Sequence, residues 1–225
     1  MFQTRLQTFA SHLRDFWRGL TPPQLFVASF IGLIIFGTVG FKALPGIYTG
    51  ESLTWLDAFF TSTSAVCVTG LIVVDTATYF TPLGQGFLLL LIQLGGLGIV
   101  TFATLIVHML GERLSLRHES IIAGTPVVSH MNYHQLGRDV VRFTLVIEGV
   151  GAACLYAIWA PWFGWLPTIR HAVFHSVSAF CNAGFSTFSD SLVPFRFSPL
   201  TQTVIMVLIV LGGIGFVTLE ELAMW

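Results

Sequence analysis

The chain has 225 residues, of which 54% are hydrophobic and only 9% charged, with a formal net charge of −1 and a mean hydropathy of +0.81. Those proportions exclude an ordinary soluble domain, which needs far more charged surface to stay dispersed, and they place the chain in a lipid bilayer. With no block of basic residues, they also exclude nucleic acid as a partner.

In chain order, residues 1–23 read as a cytosolic lead-in. Arg5, Arg14 and Arg18 stand among apolar residues, and no small-residue cleavage site follows, which argues against a removed signal peptide. Thr21, Pro22 and Pro23 supply a capped helix start, and the nearly uncharged run 24–44 is long enough to cross the hydrocarbon layer as a first span. After Pro45 and Gly46, residues 53–66 form a short Ser/Thr-rich apolar segment with the length of a re-entrant helix, too short to span. The run 83–110 is the second span, expected to end at Gly111, Glu112 and Arg113.

Residues 112–138, with Arg117, His118, Glu119, His130 and His134, read as an exposed connector. The pattern then recurs. A third span over 140–162 ends in an aromatic interface girdle at Trp159 and Trp162, followed by a short apolar piece over 169–180 and a fourth span over 200–224. This predicts one membrane unit over 24–111 and a second over 139–225. Arg5, Arg14 and Arg18 before span one, and Arg113, Arg117 and Arg138 between spans two and three with Arg142 just inside the third, assign those segments and the N-terminus to the cytosol. Glu51, Asp57, Asp75 and Asp190 then lie on the outer side, against Lys42, Arg170 and Arg196, an acidic excess where a cation would enter.

The chain also repeats itself. Shifted by 114, residues 57–71 lie over 171–185, and Ala58, Phe60, Ser62, Ser64, Ala65, Cys67 and Gly70 meet identical residues. Shifted by 117, residues 94–101 lie over 211–218, both of the form Leu-Gly-Gly-x-Gly-x-Val-Thr. Equal crossings in each copy make this a parallel repeat, with its axis along the membrane normal. Irregular backbone reaches membrane depth only where it lines water or ions, because unpaired carbonyls facing lipid are costly. A short helix that dips in and returns extended aims its carbonyls at an axis, as a selectivity filter does. The turn needs a residue free of dihedral restrictions, and Gly70 and Gly184 occupy matching positions.

The two loops, 64–71 followed by Val73, Val74, Asp75 and Thr76, and 178–185, together with the glycine-rich second spans, resemble the Trk/Ktr/HKT superfamily of potassium transporters over nearly the whole chain from about Gln24 onward. Without the additional helix pair of Trk-type subunits, the chain is most similar to the Ktr-type membrane subunit. The resemblance implies an all-α integral membrane protein built from two parallel repeats of helix, re-entrant pore helix and helix. It implies filter carbonyls from Val68, Thr69 and Gly70 in unit one and Asn182, Ala183 and Gly184 in unit two. Paired glycines imply a preference for K+ over Na+, with Na+ as a possible coupling ion, in the plasma membrane. It further implies a cytosolic nucleotide-binding regulatory subunit docking near the connector, in addition to membrane lipid. The family has four units in one chain, so a second copy or a missing second half is expected to complete the pore. The alternative is a truncated, non-conducting fragment or assembly subunit.

Other residues carry plainer expectations. His171 and His175 have the i, i+4 spacing of a metal pair, but without an acidic or cysteine ligand on that face they are expected to pack and hydrogen-bond in the pore helix. Glu148, an ionisable group within the third span, is a functional candidate by default, with structural pairing to Arg142 or Arg138 slightly favoured. The glycine clusters at 95–98 and 212–215 read as close packing sites more readily than hinges. Ser62, Ser64, Ser176 and Ser178 lack a base and orienting acid, so no enzyme chemistry and no bound cofactor are expected. Cys67, Cys154 and Cys181 have neither metal nor disulfide spacing and read as free thiols.

Overall fold

Thr21 and Gln24 set the start of the first helix in the computed structural model, which describes residues 21–119 and 133–215. The Thr21 N–H donates to Gln24 Oε1 at 2.9 Å, and Pro22 takes the first helical position, where a missing N–H costs nothing. Helix α1 (Pro22–Ala43) ends as Leu44 turns extended ahead of Pro45. Helix α2 (Trp55–Val66) is the predicted short helix. Its cap is Thr54, whose Oγ1 accepts the Asp57 N–H at 3.1 Å, and the Asp57 carboxylate suits the positive helix end. A single turn, α3 (Thr76–Tyr79), is capped by Asp75.

Helix α4 (Pro82–Glu119) carries the second span but does not stop at Gly111. A lone helical glycine costs about 1 kcal/mol relative to alanine, too little to end a helix by itself. The expected connector is therefore helical at both ends, while residues 120–132 lie outside the described residues, as do the lead-in before Thr21 and residues 216–224 of the expected fourth span. Helix α5 (Tyr133–Phe163) passes to α6 (Trp165–Phe180) through Gly164 at φ +79°, a conformation that glycine alone adopts without strain. A 3-10 turn (Val193–Phe195) precedes α7 (Pro199–Ile214).

Three helical stretches, Pro23–Ala43, Pro82–Phe102 and Gly137–Phe163, are long and apolar enough to cross a membrane, and α7 is a shorter apolar helix of 16 residues as described. Val27, Ile31, Ile35, Val146, Val150 and Met206 point outward, the surface a hydrocarbon solvent requires. The only strand-like pairing among the described residues is a Tyr48–Phe80 bridge. This is an all-α, multi-pass membrane protein.

Within unit one, α1 packs on α2 and α4; within unit two, α5 packs on α6 and α7; α4 joins the units by contacting α5 and α6. Small residues let the helices close in. Gly37 leaves room for the Ser62 side chain, whose hydroxyl donates to Ile34 O at 2.8 Å; Gly151 leaves room for Ser176, which donates to Glu148 O at 2.7 Å. Each pair is displaced from the other by the repeat offset of 114. Trp159 departs from the expected interface girdle. It is fully buried, its Nε1–H donates to Thr201 Oγ1 at 3.1 Å and its ring stacks on Phe195, while Trp162 remains exposed.

Candidate functional site

Each short helix ends in the same reversal. The Cys67 N–H closes α2 onto Thr63 O at 2.9 Å, Val68 turns left-handed at φ +52°, and the Thr69 N–H reaches back to Ser64 O at 2.9 Å. In unit two the Cys181 N–H closes α6 onto Val177 O at 2.9 Å, Asn182 turns at φ +59°, and the Ala183 N–H reaches Ser178 O at 2.8 Å. Gly70 and Gly184 follow at φ +73° and +72°. Serine then ties down the far side of each loop, Ser64 Oγ donating to Leu71 O and Ser178 Oγ to Phe185 O, both at 2.7 Å.

Among the described residues, no hydrogen bond ends on the carbonyl oxygens of Val68, Thr69, Gly70, Asn182, Ala183 or Gly184, although Leu71 O and Phe185 O just beyond them are taken. Backbone carbonyls at membrane depth ordinarily find partners, so two matched runs of open acceptors at the negative ends of two helices make a place suited to a cation.

The six predicted residues come together. A β-carbon on Gly70 would stand 2.5 Å from Ala183 O and 3.3 Å from Gly184 Cα, so the two loops touch across the seam between units. The glycines of the second spans pack directly behind the loops: a β-carbon on Gly95 would overlap Val66 O, and one on Gly212 would overlap Phe180 O. That is the packing use of glycine, at matching places in both units. A cavity of about 290 Å³ lies at the seam, lined by Val68, Gly96, Thr144, Cys181, Asn182 and Gly213 among others.

Both histidines of α6 are engaged inside the unit. His171 Nδ1 pairs with Thr187 Oγ1 at 2.6 Å; His175 Nδ1 pairs with His171 O at 2.8 Å and Nε2 with Ser186 Oγ at 2.9 Å, and both rings stack on Phe188. Glu148 does not pair with Arg142 or Arg138, both of which are exposed; its Oε1 instead accepts the Cys181 Sγ–H at 3.9 Å.

Three features were missed by sequence reasoning. Left-handed backbone falls on Val68 and Asn182 as well as on the glycines, a strained choice for a β-branched valine that a sequence pattern does not advertise. Asn182 also anchors its loop, Nδ2 donating to Ile209 O of α7 at 3.3 Å. The ties made by the loop serines were also missed, although the equal spacing of seven from Ser64 to Leu71 and from Ser178 to Phe185 carried the signal.

The TrkH family, described as cation transport proteins, matches residues 25–225. The chain is 40% identical over 211 residues to Ktr system potassium uptake protein B of Bacillus subtilis, covering 91% of this chain and 46% of that protein. It is 38% identical over 200 residues to Ktr system potassium uptake protein B of Vibrio alginolyticus, covering 88% and 44%. It is 36% identical over 205 residues to potassium/sodium uptake protein NtpJ of Enterococcus hirae, covering 90% and 45%. The chain thus spans a little under half the length of these curated relatives. With a match that runs from residue 25 to the last residue and takes in both loops, the chain belongs to the TrkH family of cation transport proteins.

Proposed function

We propose that this chain supplies two pore units of a potassium uptake system, with the carbonyls of Val68, Thr69, Gly70, Asn182, Ala183 and Gly184 forming half of a selectivity filter. The observation that carries this reading is the pair of superimposable loops, offset by 114 residues, each presenting three unclaimed carbonyls beside the other. The names of the relatives support potassium as cargo, and that of the Enterococcus protein supports a link to sodium. The chain accounts for 44% to 46% of those relatives, so further units complete the ring, from a second copy or a second half. The protein resides in the plasma membrane with its N-terminus cytosolic, and a cytosolic nucleotide-binding subunit regulates it from the connector side. No covalent chemistry takes place.

The test is potassium uptake in cells lacking their own uptake systems. This chain is expressed alone and together with the second half of a relative, beside G70S and G184S variants. Growth rescue at low potassium that the serine variants abolish supports the filter. Rescue by the two halves together but not by this chain alone supports the second reading, a non-conducting half that the short coverage favours. Rescue that survives both serine substitutions overturns the assignment of the filter.

A further inference from the structure

Glu148 marks a place where the repeat breaks its own symmetry. In unit one Ile34 O accepts the Ser62 hydroxyl, and in unit two Glu148 O accepts that of Ser176. The scaffold therefore uses only the backbone carbonyl of this position, and an aliphatic side chain suffices in unit one. Unit two carries a carboxyl there, 5% exposed and in the interior of a membrane span, where an ionisable group is costly unless it serves the cargo.

The carboxyl turns toward the seam. It contacts Cys181, the residue directly before Asn182, and the buried amide of Gln93 of α4 stands within hydrogen-bonding reach of it, closing no hydrogen bond to any other group among the described residues. One helical turn away, Thr144 lines the seam cavity together with Cys181 and Asn182. Among the described residues, no basic side chain compensates the carboxyl. A buried acid without a basic partner among the described residues, beside a cavity lined by Val68 and Asn182 of the two loops, lacks one positive charge.

Resting on the potassium reading above, we infer that the transported cation is that charge: Glu148 is a positioning residue whose carboxylate, from behind the second loop, raises cation occupancy of the filter and seam cavity. At an effective dielectric of about 20, a nearby unit charge changes the occupancy of an ion by about tenfold.

The experiment measures potassium uptake kinetics and membrane abundance of the complete transporter bearing E148Q, E148I and E148D. E148I installs the residue of unit one, E148Q keeps size and polarity without charge, and E148D restores charge. The expected result is normal membrane abundance, a KM for potassium raised about tenfold in E148Q and E148I with a smaller change in maximal rate, and a KM returning toward the original in E148D. An unchanged KM in E148Q overturns the inference while leaving the potassium reading intact; absence of uptake by the unaltered transporter overturns both. Should a variant reach the membrane poorly, the potassium-dependent rise in melting temperature of purified protein decides instead. A smaller rise in E148Q than in the unaltered protein supports the inference, and an equal rise overturns it.

Discussion

Asp75 and Ser189 hold each other across the seam between units: the Ser189 hydroxyl donates to Asp75 Oδ2 at 2.6 Å, joining residues 114 apart in the chain. Partial burial raises the Asp75 carboxyl, but hydrogen bonds from Ser189, the Ala77 N–H and the Thr78 hydroxyl outweigh it and hold the carboxyl below its ordinary value. A carboxyl lowered by folding stabilises the fold above its unfolded value of about 3.9, and that contribution is lost as pH falls through the lower folded value. S189A should therefore cost about 1 kcal/mol at neutral pH, kept small by solvent. Melting of S189A and the unaltered protein in detergent should converge as Asp75 becomes protonated below about pH 3.9; a gap that persists undiminished in acid would sink this account.

Gly70 and Gly184 share a backbone conformation but not a neighbourhood. Any side chain at either position incurs about 1–2 kcal/mol for left-handed backbone. At Gly70 it also meets Ala183 O, whereas at Gly184 the nearest atom, Gly70 Cα, is 3.6 Å away. G70A should thus impair potassium uptake more severely than G184A, as measured by rubidium influx at matched membrane abundance; the reverse order would mean that the seam does not constrain the filter.

Gly95 and Gly212 back directly onto the carbonyls of Val66 and Phe180, while Gly86 and Gly149 face open space. G95A and G212A should each lower stability by about 1–3 kcal/mol through overpacking, and G86A and G149A should be close to neutral or slightly stabilising. Thermal unfolding in detergent distinguishes this from a hinge role, in which G95A and G212A would slow transport without lowering the melting temperature.

Ser64 and Ser178 each donate one hydrogen bond to the far side of their loop, and Ser64 Oγ also accepts one from the Thr69 hydroxyl at 3.0 Å. S64A and S178A should each cost about 1 kcal/mol and weaken selection of potassium over sodium, with stability effects that add in the double variant because the bonds share no partner. Competition of sodium with rubidium influx provides the readout, and unaltered competition in both variants would show that the loops keep their shape without these ties.

The architecture was legible because hydrophobic run lengths and an internal repeat are long-range patterns that survive local noise. Two loops aligned on seven identical residues do coincide in backbone, down to the hydrogen bonds of Ser64 and Ser178. What stayed hidden depends on three-dimensional neighbours. The helix past Gly111 ignores a local stop signal because one glycine is a weak breaker. Trp159 was read as an interface residue by composition, but Thr201, 42 residues later, supplies the partner that lets its N–H be buried. Nothing in the run around Glu148 indicates that its carboxyl turns to Cys181 and not to the arginines about two and three turns away.

The change of repeat spacing from 114 at the loops to 117 at the helices that follow leaves 117 − 114 = 3 additional residues in unit two, all between Phe185 and Pro199. Unit one crosses the same interval with α3 and the Tyr48–Phe80 bridge, and unit two with the Val193–Phe195 turn. The mismatch is confined to the stretch that follows each loop, so the two units differ most in the walls beyond Leu71 and Phe185. A bulky blocker that grips those walls can therefore tell the two repeats apart, whereas the matched backbone reversals of the two loops offer it no such handle.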